Sequence, residues 1–193
     1  MGFIAGGMTP VYRRVMVFID GGYLRKGWKD YSFGEDTRIN FNGLAYYALD
    51  FKSTFSHELI RVYYYDAIAD PLKEQAKHEE QDLYFQSIRN IENYEVKLGR
   101  LIRSEGHYRQ KGVDVLLAID MITKAYEDQY DIAILIGGDD DLQDVVRAVK
   151  DSGKRVYGLF FEANASKRLI DLFDRRRTFN QDTLVQHSLI QKK

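Results

Sequence analysis

The sequence feature that most limits the fold is a short apolar run that ends in glycines and acids. Residues Ile132 to Ile136 are all apolar, and three of them are β-branched isoleucines. A run of this length and composition is typical of a strand that is buried on both faces of a sheet. Gly137 and Gly138 follow and fit a tight strand-to-helix turn. Asp139 to Asp141 then fall at the start of a helix, at the carboxyl end of a central strand, which is where open α/β sheets bind ligands.

The clustered aspartates repel one another, and two explanations for them remain open. Like charges about 4 Å apart cost roughly 1 kcal/mol in water and about four times as much at a partly shielded site. A helix dipole offsets only about 0.3–1 kcal/mol per charge. A divalent cation would remove the repulsion, and oxygen ligands suit Mg²⁺ or Mn²⁺. The alternative is that one aspartate caps the helix and the others face water.

A second run repeats this pattern near the amino terminus. Val15 to Ile19 are apolar, and they are followed by Asp20, Gly21, Gly22 and Tyr23. In a parallel sheet the carboxyl ends of the strands meet at one edge, so the pattern predicts that Asp20 and Asp139 converge. An ordinary Asp-Gly turn is the competing interpretation.

The alternation of short apolar runs with helical patterns predicts an α/β fold. We expect a doubly wound, mostly parallel five-stranded sheet with helices on both faces. The strands are expected near residues 15–19, 59–65, 94–99, 132–136 and 155–161. Residues 13–193 are predicted to form one domain, with residues 1–12 as a flexible lead-in and residues 174–193 as a C-terminal extension. Within the extension we expect a short edge strand at Thr178 and Phe179 and a last short helix at residues 182–190.

One further acid is expected at the same edge. The helical pattern from Gly112 to Tyr126 places Asp114 in the first turn of a helix and Asp120 near its middle. Six residues separate them, so they lie on different faces of the helix and cannot both enter one pocket. Asp114 is therefore the predicted site residue, although the helix dipole alone also accounts for an acid in a first turn.

Two of the basic segments of the chain differ in what they predict. Those at 100, 103, 109 and 111 surround a glycine-containing connection that also carries His107 and Tyr108, and this is the best basic and aromatic patch in the chain. Contact with nucleic-acid phosphates and an ordinary solvated loop explain it about equally well. The charged helix predicted from Pro71 to Asn90, which includes Lys77, is interpreted as a solvated face.

Composition excludes several kinds of site. The chain has 193 residues and no cysteine, so disulfides, thiolate metal sites and a thiol nucleophile are excluded. The net charge of −1 gives no overall basic field, yet local patches can still bind nucleic acid. No apolar run of about 18 residues and no signal-peptide pattern is present. We therefore expect no membrane span and a cytoplasmic location.

Three motifs together resemble a known family. They are VFIDGGYL at residues 17–24, KGVDV at residues 111–115 and GGDDDL at residues 137–142. Their order and spacing resemble the NYN-domain branch of the PIN-like nuclease superfamily, over about residues 14 to 161. This chain departs from the family pattern at Tyr23, where the family often has Asn, and at Gly137, where it usually has Ser. Each departure removes a polar group close to the expected metal.

The resemblance implies a metal-dependent ribonuclease with a PIN-like fold. By position it implies that Asp20, Asp114, Asp139 and Asp141 bind Mg²⁺ or Mn²⁺ and catalyse phosphodiester hydrolysis, most simply of single-stranded RNA. Arg25, Lys111, Arg109 and Tyr23 are the residues expected to contact nucleic acid.

Other functions remain open at this point. They are a non-catalytic nucleic-acid-binding or regulatory module of the same fold, a nuclease that acts on single-stranded or other DNA, and a Mg²⁺-dependent phosphatase. The phosphatase lacks the usual Asp-x-Asp after the first strand, because Asp20 is followed by two glycines. The preference for RNA rests on family analogy alone. A homodimer formed through the helix from Pro71 and the C-terminal tail is also left open.

Overall fold

The computed structural model describes residues 12–31, 37–51, 55–104 and 107–192. Most of the expected N-terminal lead-in, residues 1–11, lies outside the described residues. Within the described ranges, no helix is both long enough and apolar enough to cross a bilayer.

The described chain contains nine strands and seven α-helices, with short 3₁₀ turns at residues 140–142 and 162–164. The strands are β1 (Tyr12–Asp20), β2 (Thr37–Ile39), β3 (Ser56–Ala69), β4 (Tyr94–Ser104), β5 (His107–Lys111), β6 (Ile132–Ile136), β7 (Arg155–Phe161), β8 (Arg175–Phe179) and β9 (Ile190–Lys192). The helices are α1 (Gly21–Tyr31), α2 (Phe41–Leu49), α3 (Gln75–Arg89), α4 (Val113–Tyr126), α5 (Gln143–Asp151), α6 (Lys167–Ile170) and α7 (Gln181–Gln186).

Seven strands form the main sheet in the order β5-β4-β3-β1-β6-β7-β8. All neighbouring pairs are parallel except β4 and β5, which are antiparallel. The chain winds outward from β1 through β3 to β4, and then returns to β6 on the other side of β1. The order of the strands therefore reverses between β1 and β6, and the edge beyond their carboxyl ends is the crevice expected to bind ligands.

The sheet has two strands more than the predicted five, and both are edge strands. The five expected strands are present. Strand β5 consists of polar residues and Tyr108, all exposed, so it has no apolar pattern to reveal it. Strand β8 begins with three arginines, and only its last two residues had been interpreted as a short edge strand. Edge strands with charged side chains are common, because charge discourages pairing with other molecules.

Helices pack on both faces of the sheet. On one face, Tyr64 of β3 packs against Phe41 of α2 and Phe85 of α3, with ring centroids 5.5 and 6.4 Å apart. The next residue, Tyr65, points to the opposite face, where its hydroxyl donates a 2.9 Å hydrogen bond to Asp120 of α4. Successive strand residues point to opposite faces, so these contacts place α2 and α3 on one side and α4 on the other.

Two helical segments differ from the prediction. Helix α3 begins at Gln75, because residues 71–73 form a turn in which the N–H groups of Lys73 and Glu74 donate to the carbonyl oxygen of Asp70, at 3.1 and 2.9 Å. The expected last helix at residues 182–190 is shorter, and β9 follows it and pairs with β2. Residues 174–193, which were expected to extend the domain, thus supply β8 of the main sheet and β9 of the small one.

Candidate metal and nucleic-acid site

Asp20 is the last residue of β1 and lies directly before the first residue of α1. Asp20 is only 4% exposed, and its carboxylate accepts a 2.9 Å hydrogen bond from the Tyr23 N–H, so it caps the helix as well as facing the crevice. Gly21 is required for this approach, because a Cβ there would lie 2.5 Å from Tyr64 Cζ and 2.7 Å from an Asp66 oxygen. The glycine therefore lets α1 begin directly on the sheet.

The carboxyl end of β6 delivers Asp139 in a different way. A Cβ on Gly138 would lie 2.4 Å from the Tyr23 ring and 2.8 Å from the Asn164 carbonyl oxygen, so the turn needs glycine. Asp139 is exposed and stands at the N-cap of the following 3₁₀ turn, yet its side chain makes no capping hydrogen bond. Helix capping therefore does not account for the Asp139 carboxylate.

Helix α4 brings the third acid. Gly112 has φ +82°, a left-handed conformation that turns the chain from β5 into α4, and Asp114 follows in the first turn. Asp114 lines one cavity of about 560 Å³ together with Asp20 and Asp139. Asp120 is directed elsewhere, toward Tyr65 and Lys97, as its spacing from Asp114 predicts.

The proximity of these acids shifts their pKa values. Burial raises the pKa of Asp20 to about 6; the Tyr23 N–H opposes this rise, and the charges of Asp139 and Asp114 add to it. Burial also raises the pKa of Asp114, and the charges of Asp139 and Asp141 act in the same direction. The site therefore holds several carboxylates that disfavour one another's ionised form.

The remaining acids of the Gly-Gly-Asp turn are oriented differently. Asp141 is exposed and does not line the cavity, although its charge reaches Asp114. Asp140 accepts a hydrogen bond from the Ser166 hydroxyl and lies 3.9 Å from Arg168. The structure thus brings three of the four proposed ligands to one cavity, with Asp141 at its border and Asp140 turned toward α6.

The donor chemistry of the cavity suits a divalent cation. Carboxylate oxygens are the ligands that Mg²⁺ and Mn²⁺ prefer, and a cation would remove the repulsion among them. Among the described residues, however, no three His, Asp or Glu side chains stand close enough together to hold an ion directly. Mg²⁺ commonly keeps several of its waters and uses only one or two protein carboxylates, so the arrangement fits an ion held partly through water.

Arg25, expected to contact nucleic acid, is tied into the cavity wall. Its guanidinium makes an ion pair with Asp66, which is 0% exposed. Asp66 also accepts hydrogen bonds from the Tyr64 hydroxyl at 3.1 Å and from the Gln110 amide at 2.9 Å. Asp66 lies within β3, which continues to Ala69, and its carboxylate is fully enclosed. Its charge is balanced mainly by Arg25.

The other three residues expected to contact nucleic acid have different surroundings. Tyr23 lines the cavity but is only 7% exposed, and its hydroxyl accepts a 2.9 Å hydrogen bond from the Phe161 N–H. Its position is that of a packing residue between α1 and β7, where its ring lies 6.0 Å from that of Phe161. Arg109 and Lys111 are exposed and do not line the cavity. They alternate with Tyr108 and Gln110, which do, and so they point to the other face of the hairpin.

The cavity also includes residues that sequence analysis had not assigned to it. Lys77, interpreted as part of a solvated face, lines the cavity, and so do Lys26, Gln81, Gln110 and Asn164. The helical spacing of α3 could have indicated that Lys77 and Gln81 face the sheet. Positions 77, 81, 85 and 88 share one helix face, and Phe85 and Ile88 are buried. That spacing places Lys77 and Gln81 on the side of α3 that faces the sheet.

Comparisons with known proteins agree with this architecture. The sequence matches the family model described as the NYN domain over residues 14–179. A crystal structure of a protein of unknown function from Vibrio parahaemolyticus RIMD 2210633 superposes with a TM-score of 0.62 at 22% identity, covering 91% of this chain and 98% of that one. At that identity the likeness concerns the fold alone. No curated protein matches the chain significantly.

Proposed function

The chain belongs to the NYN domain family, and from this membership together with its acidic cavity we propose that it is a metal-dependent nuclease. The substrate we propose is single-stranded RNA, cut internally by hydrolysis of a phosphodiester bond. The metal would be Mg²⁺ or Mn²⁺, held by Asp20, Asp114 and Asp139, with Asp141 at the border of the site.

One observation carries this proposal. Three aspartates that are far apart in the sequence, on β1, on α4 and after β6, line a single cavity at the point where the strand order reverses. Structural acids are normally paired with bases or used as caps. Here Asp139 makes no capping bond, and the pKa of Asp20 is raised mainly by burial and further by the charges of Asp139 and Asp114. Such unrelieved repulsion in a cleft is typical of a functional site.

The protein groups have distinct roles in this mechanism. The N–H of Tyr23 fixes one Asp20 oxygen, so that the carboxylate is oriented before a metal arrives. Asp139 and Asp114 are exposed and can adjust to a hydrated ion. A bound divalent ion would supply an activated water and would stabilise negative charge on the phosphate. Lys26, exposed at the same cavity, can approach the substrate backbone.

The test is cleavage of a labelled single-stranded RNA by purified protein. We expect cutting with Mn²⁺, none with EDTA, and a loss of more than about 100-fold in Asp139→Asn, because each 1.36 kcal/mol of lost transition-state stabilisation is tenfold in rate. Asp140→Asn is the matched control, since it removes the same charge one residue away on a side chain that faces Ser166. Cutting that survives EDTA, or equal loss in both variants, would contradict the proposal.

A non-catalytic nucleic-acid-binding module is the second candidate. The observation in its favour is that no three acidic or histidine side chains of the described ranges are close enough to chelate an ion directly. It predicts RNA binding without cutting under any divalent metal. DNA of the same sequence and a simple phosphate monoester, tested in parallel, separate a ribonuclease from a DNA nuclease and from a phosphatase.

A further inference from the structure

The acidic cavity has a second side formed by α3 and the β4–β5 hairpin. Its residues, which we call the hairpin wall, are Lys77, Gln81, Leu101, Tyr108 and Gln110. We propose that the hairpin wall binds the nucleotide next to the scissile phosphate, with Lys77 on a backbone phosphate and Tyr108 against the base. This inference rests on the proposed function for the identity of the ligand, a single-stranded nucleic acid.

The width of the cavity supports a subsite beyond the acids. Leu101 is on β4 and Asp139 follows β6, and these strands are three positions apart in the sheet. Neighbouring strands are about 4.8 Å apart, so the cavity crosses roughly 14 Å. A single phosphate and its metal occupy only part of that width. The remaining space lies along the hairpin wall.

The acids of the cavity lie on one side, together with Lys26 of α1, and a further lysine lies on the opposite side. The acids Asp20, Asp114 and Asp139 lie at the ends of β1 and β6 and on α4, whereas Lys77 lies across the cavity on α3. Arg25 is already paired with the buried Asp66. Lys77 makes no ion pair with any residue of the described ranges, so its charge remains for a ligand. A nucleic-acid strand that extends from the acidic side of the cavity would bring a backbone phosphate to the Lys77 ammonium group.

An aromatic ring holds the Lys77 ammonium in place. Lys77 Nζ lies 2.9 Å from the centroid of the Tyr108 ring, and the Tyr108 hydroxyl donates to Glu74. Tyr108 is 42% exposed and lines the cavity. Aromatic rings beside cations are the usual elements of single-strand binding, because every base can stack on a ring regardless of sequence. The pair therefore suits binding without sequence preference.

The hairpin is anchored to the acidic side of the cavity. The Gln110 amide donates a 2.9 Å hydrogen bond to Asp66, and it lies so close to Gly22 that a Cβ there would be 2.8 Å from its oxygen. Gln110 thus connects β5 to α1, which begins directly after Asp20. The hairpin wall is held at a fixed distance from the acids.

The test measures binding of a fluorescein-labelled ten-nucleotide single-stranded RNA by fluorescence anisotropy. EDTA is present, so that the RNA is not cleaved and binding is measured independently of catalysis. We expect Lys77→Gln to weaken binding at least about fivefold. The slope of log affinity against log salt should fall by about 0.7, the value for one phosphate contact on a single strand. Lys73→Gln is the matched control, because Lys73 is exposed in the turn before α3 and does not line the cavity.

Tyr108 is tested by two substitutions. Tyr108→Ala removes the ring and should weaken binding about five- to a hundredfold, the usual range for one stacked base. Tyr108→Phe keeps the ring and loses only the bond to Glu74, so it should bind nearly as the unaltered protein does. Thermal melts check that each variant is folded.

The outcomes separate this inference from the nuclease proposal. If the unaltered protein does not bind the RNA, or if Lys77→Gln matches Lys73→Gln in affinity and salt slope, the hairpin wall is not a subsite. If the unaltered protein cleaves RNA while Lys77→Gln and Tyr108→Ala bind RNA normally, only this inference fails. If Lys77→Gln and Tyr108→Ala bind RNA weakly and no condition gives cleavage, the inference is supported and the nuclease proposal fails.

Discussion

The acids at the two ends of strand β6 have opposite electrostatic surroundings. At its start, Asp131 accepts 2.9 Å hydrogen bonds from the backbone N–H and the guanidinium of Arg14, and Asp128 nearby pairs with Lys154. Burial disfavours the Asp131 charge, but the hydrogen bonds from Arg14 outweigh it and lower the pKa of Asp131. At its end, Asp139 makes no ion pair with any residue that the structure describes, and it lines one cavity with Asp20 and Asp114, whose pKa values are raised mainly by burial.

The difference shows which acids stabilise the fold through ion pairs and which acids repel one another without compensation. The carboxylates at the start of β6 are neutralised by bases within the chain, so their interactions are complete. Those at the end are brought together without sufficient basic partners, and burial of Asp20 adds to the cost. A cation from outside would complete them. Four changes test this contrast, from the largest expected effect to the smallest.

The first change removes acids from the end of the strand. Asp20→Asn and Asp114→Asn should each reduce metal-dependent RNA cleavage more than about 100-fold, because each is a proposed metal ligand. Both proteins should remain folded, since Asn can replace Asp20 as a helix cap and Asp114 is exposed. Cleavage rates and circular dichroism measure the two effects. Normal cleavage in either variant would mean that the repelling acids are not the catalytic ones.

The second change concerns pH. The pKa of Asp20 is about 6 in the folded protein, above its ordinary value of 3.8, so the folded state holds the proton more tightly than the unfolded state. This contribution to stability is complete below the unfolded value and is lost as pH rises through about 6. In EDTA, the unfolding free energy of the unaltered protein should therefore fall by about 2.4 kcal/mol more than that of Asp20→Asn between pH 4 and pH 7.5. Denaturant unfolding at the two pH values measures it, and parallel curves would contradict the shift.

The third change removes an acid from the start of the strand. Asp131→Ala leaves the half-buried Arg14 guanidinium without its main partner, which should cost about 1–3 kcal/mol of unfolding free energy. The specific activity of the folded protein should not change. Chemical denaturation and cleavage rates on the same preparation test both statements. A loss of activity here would erase the contrast between the two ends.

The fourth change provides a baseline for a solvated acid. Asp144 on α5 is exposed and pairs with Arg147 at 2.9 Å, three residues along the helix. An exposed pair of this kind contributes at most about 0.5 kcal/mol. Asp144→Asn should therefore alter neither stability nor cleavage appreciably, as thermal melts and rate measurements can show. A large effect would mean that net charge, rather than position, governs the other results.

The sequence predicted those parts of the molecule that depend on local patterns. The runs at β1 and β6 are continuous and apolar, so both strands were predicted, and the glycines marked the turns after them. The bounds of β6 were correct, whereas β1 begins three residues before the predicted residue 15 and ends at Asp20, because its first residues are polar and partly exposed. Asp114 was preferred over Asp120 because helical spacing alone separates their faces. The start of α3 was misplaced because Pro71 also fits a turn, and β5 was missed because an exposed edge strand needs no apolar residues.

The sequence by itself determined the class of fold and the acids that end or begin its central elements, because burial imposes a period on apolar residues and turns require glycine. Only the tertiary structure decided which charges meet. Arg25 forms an ion pair with the buried Asp66. Lys77 and Tyr108 line the cavity, whereas Arg109 and Lys111 point away from it. The physical reason is that a strand's side chains alternate between faces, so neighbours in sequence can lie on opposite sides, and pairing across a cleft depends on the packing of distant segments.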